Sequence, residues 1–553
     1  MNFLLYSSTN KQQHKYMLPH NKTRLIVDLT LILILCLALF VRTYRIDSIP
    51  FGLYPDEAVN AADALFANET GNYRLFYPNN FGREGLFINL QAIALQLFGT
   101  SVPALKLWSA LFGTGAVFGM YLLGTELYKR RLAGLIAAFL TATSYWAINF
   151  SRIGFRAIMV TFLLSVTFFF LFRGLRTQRF IYFILGGLFF GLGLHTYVAF
   201  RLAPLILILL LPVLILSYEH FIKRYWRHIG VFVFSAFVAA APMFYHFFIA
   251  HPEDFSSRSV AVSIFSPNVN HGDFFGTLGK TFGTSLLKYN FWGDQNWRHN
   301  YPPYPILDPF VGTLFLSGFL YIIWQTIILL GRRMRDGDRD MRLVTNVFLL
   351  GSFFVMLMPE FLTNEGLPHA LRAIGTQMPV FLMATLPLFW LTKKALHSSL
   401  GTRTIFLCII LIALVGSAFF NGTKYFVFFA NSPHQASAFN FNLRNIADYL
   451  LTLPDETPKY VVSMDGSKIE GNRLPINVQP IFFFTYGKIK NLTYLLPDSD
   501  IIITGGSIIV LTEYNARLIE NIQKRAPRAI VQNIDFHPGT GSNFTAILLP
   551  AMP

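Results

Sequence analysis

The stretch LIVDLTLILILCLALFVR, residues 25–42, is closely followed by GLYPDEA, residues 52–58. The first is apolar over nearly the roughly 20 residues that cross a bilayer. The second places Pro55, Asp56 and Glu57 at what reads as a helix start, with proline in the first turn and two carboxylates at the positive end of the helix dipole. A span thus delivers an acidic pair to the membrane surface. No small-residue cleavage site follows, and Lys11, Lys15, Lys22 and Arg24 precede the run, so it reads as an anchor and residues 1–24 as a cytoplasmic basic tail.

The pattern repeats along the chain. About eleven apolar runs meet the same criterion, near 25–42, 101–124, 132–150, 157–172, 180–198, 202–217, 229–249, 308–330, 343–361, 373–391 and 404–420. Composition agrees: 53% of the residues are hydrophobic, 58 are Phe, and only 13% are charged, about half the share in a soluble domain. The formal charge of +16 sits beside the apolar spans and not in a basic tract, which excludes nucleic acid as a partner. Cys36 and Cys408 both lie in apolar runs, so neither a disulfide framework nor a zinc cluster of cysteines is available.

Lys and Arg accumulate on the cytoplasmic side of membrane proteins. Here they cluster in every second connection, at Lys129-Arg130-Arg131, Arg173 to Arg179, Lys223 to Arg227, Arg332 to Arg342 and Lys393 to Arg403. That topology leaves two long outer loops, 43–100 and 250–307. The first contains an apolar stretch, Leu86 to Phe98, too short to span and suited to an interfacial helix. From about 421 polar residues return. Tyr460-Val461-Val462 and Ile501-Ile502-Ile503 read as strands and 440–451 and 513–524 as helices, so 421–553 is expected to form a small outer α/β domain. The expected fold is an all-α polytopic membrane domain, 25–420, with that domain attached.

The chemistry-bearing residues gather in the outer connections. Asp56, Asn60 and Asp63 share one helix face, a polar stripe where an apolar footing is expected beside the bilayer. A dipole-stabilised helix start explains the carboxylates alone, whereas a polar cavity explains the stripe. Asn79 to Leu86 adds Arg83 and Glu84. Arg152 and Arg156 stand four apart on the side that the charge rule depletes, and such a pair repels unless an anion lies between them. A lipid phosphate suits their guanidinium forks, headgroup anchoring being the alternative. Arg201 and Arg372 occupy similar positions. His195 and Tyr197 lie near Arg201, and Asp294, Trp297 and His299 fall in a polar, aromatic segment of the kind that holds a sugar. His271, Asp294 and His299 lack the spacing of a metal motif, so no metal site is assigned and no cofactor required, a divalent ion being the one allowance.

With these residues in view, the chain resembles the GT-C superfamily. The likeness is to family 39, which holds dolichyl-phosphate-mannose protein mannosyltransferases and aminoarabinose-transferase-like enzymes. It spans about 25–420 and rests on Asp56-Glu57 after the first span, on Gly82-Arg83-Glu84-Gly85-Leu86 leading into Leu97-Phe98-Gly99, and on the eleven-span outline. It implies a polyprenyl-phosphate-linked sugar as donor, an extracytoplasmic acceptor (protein, lipid or glycan) and inversion at the anomeric carbon. It gives Asp56 the part of general base or acceptor-orienting carboxylate, with Glu57 beside it, and the arginines the part of phosphate ligands. Glu84 resembles the acidic residue before the family's Lys-Pro segment, although Arg83 precedes it and Gly85 replaces the proline. No counterpart of the mannosyltransferases' sugar-binding MIR insertion is visible, which points to a bacterial or archaeal cytoplasmic membrane with the active site on its outer face. A flippase of lipid-linked sugars is the rival reading. It would place its polar residues mid-bilayer, on paired broken spans, and here they cluster in loops.

Overall fold

A computed structural model describes residues 20–255, 262–464, 474–499, 505–537 and 542–550. The N-terminal tail with Lys11 and Lys15, and the strand expected at 501–503, lie outside the described residues. Among the described residues nine helices are long and apolar enough to cross a membrane, from Arg24–Thr43 to Leu400–Phe429. Two of the eleven expected spans differ. The run at 132–150 is a pair of helices, Arg131–Thr143 and Tyr145–Arg152, bent by 59° at Ser144. The run at 180–198 is a short helix, Phe180–Leu192, that winds into 3-10 turns. Its glycines let it lie backbone to backbone on Phe221–Tyr245: a Cβ on Gly187 would stand 2.3 Å from the Phe232 carbonyl oxygen.

Helix α1, His20–Thr43, runs along the periphery, with Leu25, Leu29, Ile32 and Leu33 exposed as a lipid-facing strip. At the far end from the first loop, Glu126 gathers Lys129, Arg173 and Arg176, while Asp28 pairs with Arg131. Two of the basic clusters read from the sequence as one face, those at 129–131 and 173–179, thus meet around Glu126.

The first loop holds α2, Pro55–Thr70, then a two-residue hairpin, β1 Phe76–Tyr77 and β2 Arg83–Glu84, then α3, Gly85–Phe98. Helix α2 starts where the sequence signals it: the Glu57 carboxylate accepts from the Tyr54 backbone N–H at 3.2 Å, and Gly71 closes the helix with φ 69°. Helix α3 is the stretch read as interfacial, and Leu97 and Phe98 are exposed at its end. Helix α4, Val102–Tyr128, follows as a span.

The C-terminal residues form a five-stranded sheet in the order β4-β3-β5-β7-β6. These strands are β3 Lys459–Val462, β4 Leu492–Leu495, β5 Ser507–Leu511, β6 Ile530–Ile534 and β7 Phe544–Leu549. β3 runs parallel to β4 and β5, and β7 antiparallel to β5 and β6. Helix Ala516–Arg525 packs Leu518, Ile519 and Ile522 on one face. Helix Phe441–Thr452 covers the other, and its core continues into Ala58, Ala61, Leu65 and Ile88 of the first loop. The sheet and α2 therefore share one apolar core.

Gly52, just before α2, lies against the backbone of Phe439, just before helix Phe441–Thr452. A Cβ there would stand 2.0 Å from the Phe439 carbonyl oxygen. Backbone cannot yield as a side chain does, so Gly52→Ala is expected to cost about 1–3 kcal/mol. Thermal unfolding of the detergent-purified protein checks this, and an unchanged midpoint would refute the packing argument.

Candidate active site

Asp56 stands in the first turn of α2, half-buried, and its Oδ1 accepts a hydrogen bond from Asn80 Nδ2 at 2.8 Å. Asn80, Phe81 and Gly82 turn the hairpin through three left-handed residues with φ of 51°, 62° and 84°. That turn aims Asn80 at Asp56 and lets Arg83 reach back to α2. Arg83 pairs with Asp63 and donates to Asn60 Oδ1, while Asn60 Nδ2 donates to the Gly154 carbonyl at 3.3 Å. The polar stripe Asp56, Asn60 and Asp63 is thus spent on the hairpin. Burial lowers the Arg83 pKa from its ordinary value, Asp63 opposes this, and Arg156 and Asp56 act on the same guanidinium, so all four charges are neighbours.

Glu84, next in β2, bridges two arginines: Arg156 Nε donates to its Oε2 and Arg201 to its Oε1, each at 3.0 Å. Gly85 is needed here because a Cβ would stand 2.0 Å from the Arg74 carbonyl oxygen. Among the described residues the Arg156 guanidinium makes no other hydrogen bond, while Arg201 Nη1 also donates to the Phe255 carbonyl at 2.5 Å and its buried Nε has no partner. Aromatic faces hold both cations, Tyr197 at 5.4 Å from Arg156 and Phe247 at 4.5 Å from Arg201. The buried Arg156 guanidinium, with donors beyond its bond to Glu84, and the partly exposed Arg201 beside it suit an anionic ligand.

Glu57 is built differently. It is fully buried, its carboxylate accepts from the Gly154 N–H at 2.9 Å and from Tyr54, and Lys106 Nζ of α4 stands 3.6 Å away. Burial raises its pKa, and Lys106 and the two N–H groups oppose that. Such a group pins α2 to a span and to the turn at Gly154, with no face left for substrate. Lys106 escaped the sequence reading, although an ionisable residue inside an apolar run is itself a signal.

The other expected site residues divide. Asp294 and His299 join the first loop, because His299 Nε2 meets the Tyr54 hydroxyl at 3.3 Å and its Nδ1 meets Asp294 Oδ2 at 3.0 Å. Arg152 does not. Its guanidinium is fully buried and spends its donors on the carbonyls of Val41, Tyr44, Arg45 and Ile49 and on the Tyr425 hydroxyl, so it cross-links the end of α1. Arg372 is engaged by Glu365 and Thr363 in its own loop. His195 bonds the Ala239 carbonyl at 2.9 Å, and Trp297 stacks on His434. His271 caps a short helix, Pro267–Asn270, away from Asp294 and His299, and His369 takes its place beside them.

A span delivering an acidic helix start, a hairpin carrying cations back to it and a sheet domain sharing its core form a recognisable frame. The sequence profile of the family described as dolichyl-phosphate-mannose-protein mannosyltransferase matches residues 86–246. Among solved structures the chain superposes on ArnT from Cupriavidus metallidurans in the apo state, with a TM-score of 0.55 at 14% identity, over 96% of this chain and 100% of that one. The chain shares the fold of ArnT. The same ArnT bound to undecaprenyl phosphate aligns with a TM-score of 0.53 at 13% identity, over 97% and 100% of the two chains. No curated protein matches the chain by sequence. The family likeness read over about 25–420 is borne out by the profile over 86–246 and by the shared fold.

Proposed function

We propose that the protein is an integral-membrane glycosyltransferase that moves a sugar from a polyprenyl-phosphate carrier to an acceptor hydroxyl. The observation that carries this is a half-buried carboxylate, Asp56, held by the hairpin whose Glu84 draws in Arg156 and Arg201, two cations set against aromatic faces. The likeness to a family of lipid-phosphate-sugar transferases, and to a structure holding undecaprenyl phosphate, supports the same donor class.

The acceptor oxygen attacks the anomeric carbon as the bond from that carbon to the phosphate oxygen breaks. The phosphate leaves with the bonding pair, and the acceptor proton passes to the Asp56 carboxylate, which Asn80 orients. Arginines standing where the leaving charge develops stabilise it. Arg83 acts through Asp63 and Asn60 by holding the hairpin against α2. The membrane part, which runs on to Phe429 where the sequence reading ended it at 420, is then the catalytic part and the residues after it an attached domain, with the site on the outer face of a bacterial or archaeal membrane.

Purified protein in lipid, given a polyprenyl-phosphate sugar and envelope-derived acceptors, should release polyprenyl phosphate. Movement of intact donor across vesicles without hydrolysis or transfer would overturn the enzyme in favour of a flippase. Arg201→Ala removes charge-assisted hydrogen bonds of about 1.5–3 kcal/mol, so the KM for the donor should rise about 10- to 100-fold with a smaller change in kcat. Unchanged KM together with unchanged kcat would place Arg201 away from the phosphate.

A further inference from the structure

Asp294, His299 and His369 form a second cluster, beyond the carboxylate and arginines assigned to sugar transfer. Each offers a ligand atom, and the three atoms lie within 4.8 Å of one another. Asp294 and His299 come from one loop and are 1% and 2% exposed, whereas His369 arrives from the connection before the span Ile374–Leu396 and is half-buried. The separation of 3.0 Å between Asp294 Oδ2 and His299 Nδ1 fits a hydrogen bond and equally fits two ligands on one ion. A bonded Asp-His pair needs no third donor. Here a second imidazole converges on it, with ring centroids 4.7 Å apart and planes tilted by 35°.

The surroundings have the form of a ligand shell. The distal nitrogen of His299 meets the Tyr54 hydroxyl, and the Ala370 N–H donates to Asp294 Oδ2 at 2.7 Å, so outer contacts orient both ligands. Lys288, the nearby ammonium, is taken by Glu360, and among the described residues His299 is the only group within ion-pair distance of Asp294. A buried carboxylate facing two imidazoles is a setting for a cation.

We propose that Asp294, His299 and His369 bind one divalent transition metal of the zinc class. Imidazole and carboxylate are borderline to hard donors suited to zinc, cobalt and manganese, and three protein ligands leave a further position for water. The ion ties the 293–300 loop to the 363–372 connection and, through Tyr54, to the start of the helix that bears Asp56. This goes beyond the transferase reading and stands on separate residues.

The test uses the full chain in detergent, stripped with a chelator and titrated with Zn2+ and with Co2+. About one equivalent of zinc should be retained after dialysis, and Co2+ should give visible absorption bands of a low-coordinate nitrogen and oxygen site. His369→Ala and Asp294→Asn should each weaken zinc binding at least tenfold, with thermal unfolding confirming that each variant is folded. Failure of the wild-type chain to retain Zn2+ or Co2+, or wild-type affinity in both variants, would overturn the site and leave a hydrogen-bonded Asp-His-Tyr chain. Metal content is read without sugar transfer, so a failed metal site leaves the enzyme reading standing, and an inactive wild type leaves the metal site standing.

Discussion

Asp56→Asn should reduce sugar transfer by about 10²- to 10⁴-fold, the usual contribution of a positioned general base, with donor binding retained. The substitution keeps size and an acceptor oxygen for Asn80, so α2 and the hairpin should hold. It removes the basic oxygen that takes the acceptor proton. Single-turnover transfer from a labelled polyprenyl-phosphate sugar, beside equilibrium binding of the same lipid, separates the two effects. Equal loss in binding and turnover would make Asp56 a donor ligand, and undiminished turnover would remove it from the chemistry.

Glu57→Ala is expected to act through stability. It strips the cap from the Tyr54 N–H, leaves the Gly154 N–H without its acceptor and strands the buried Lys106 ammonium. Breaking one side of a buried ion pair costs about 3–5 kcal/mol, whereas replacing both sides by apolar groups is often neutral. Thermal unfolding in detergent should therefore show a large drop for Glu57→Ala and a partial recovery on adding Lys106→Met. If Glu57→Ala unfolds like the wild type yet fails to transfer sugar, the side chain is catalytic and the pinning role is wrong.

These contrasting expectations for adjacent carboxylates show where local sequence reading stops. Both residues satisfy the same rule for a helix start. Only the packing of α2 against α4 and Gly154 turns one inward to Lys106 and leaves the other beside the hairpin. The arginines divide in the same way. All five break the charge-sidedness pattern, which marks them as unusual, but Arg152 meets carbonyls at the end of α1 while Arg156, four residues on, meets Glu84.

The sequence by itself determined the membrane class, nine of the apolar spans, the short apolar helix α3, the start of α2 and an α/β unit at the C-terminus. Apolar run length, helix capping and strand alternation are local properties, written in consecutive residues. The tertiary structure alone decided the bend at Ser144, the core shared between the sheet and α2, the division of labour between Asp56 and Glu57, and the meeting of Asp294 and His299 with His369. Each depends on contacts between segments far apart in the chain, where a glycine's missing Cβ or a backbone carbonyl's position chooses the partner.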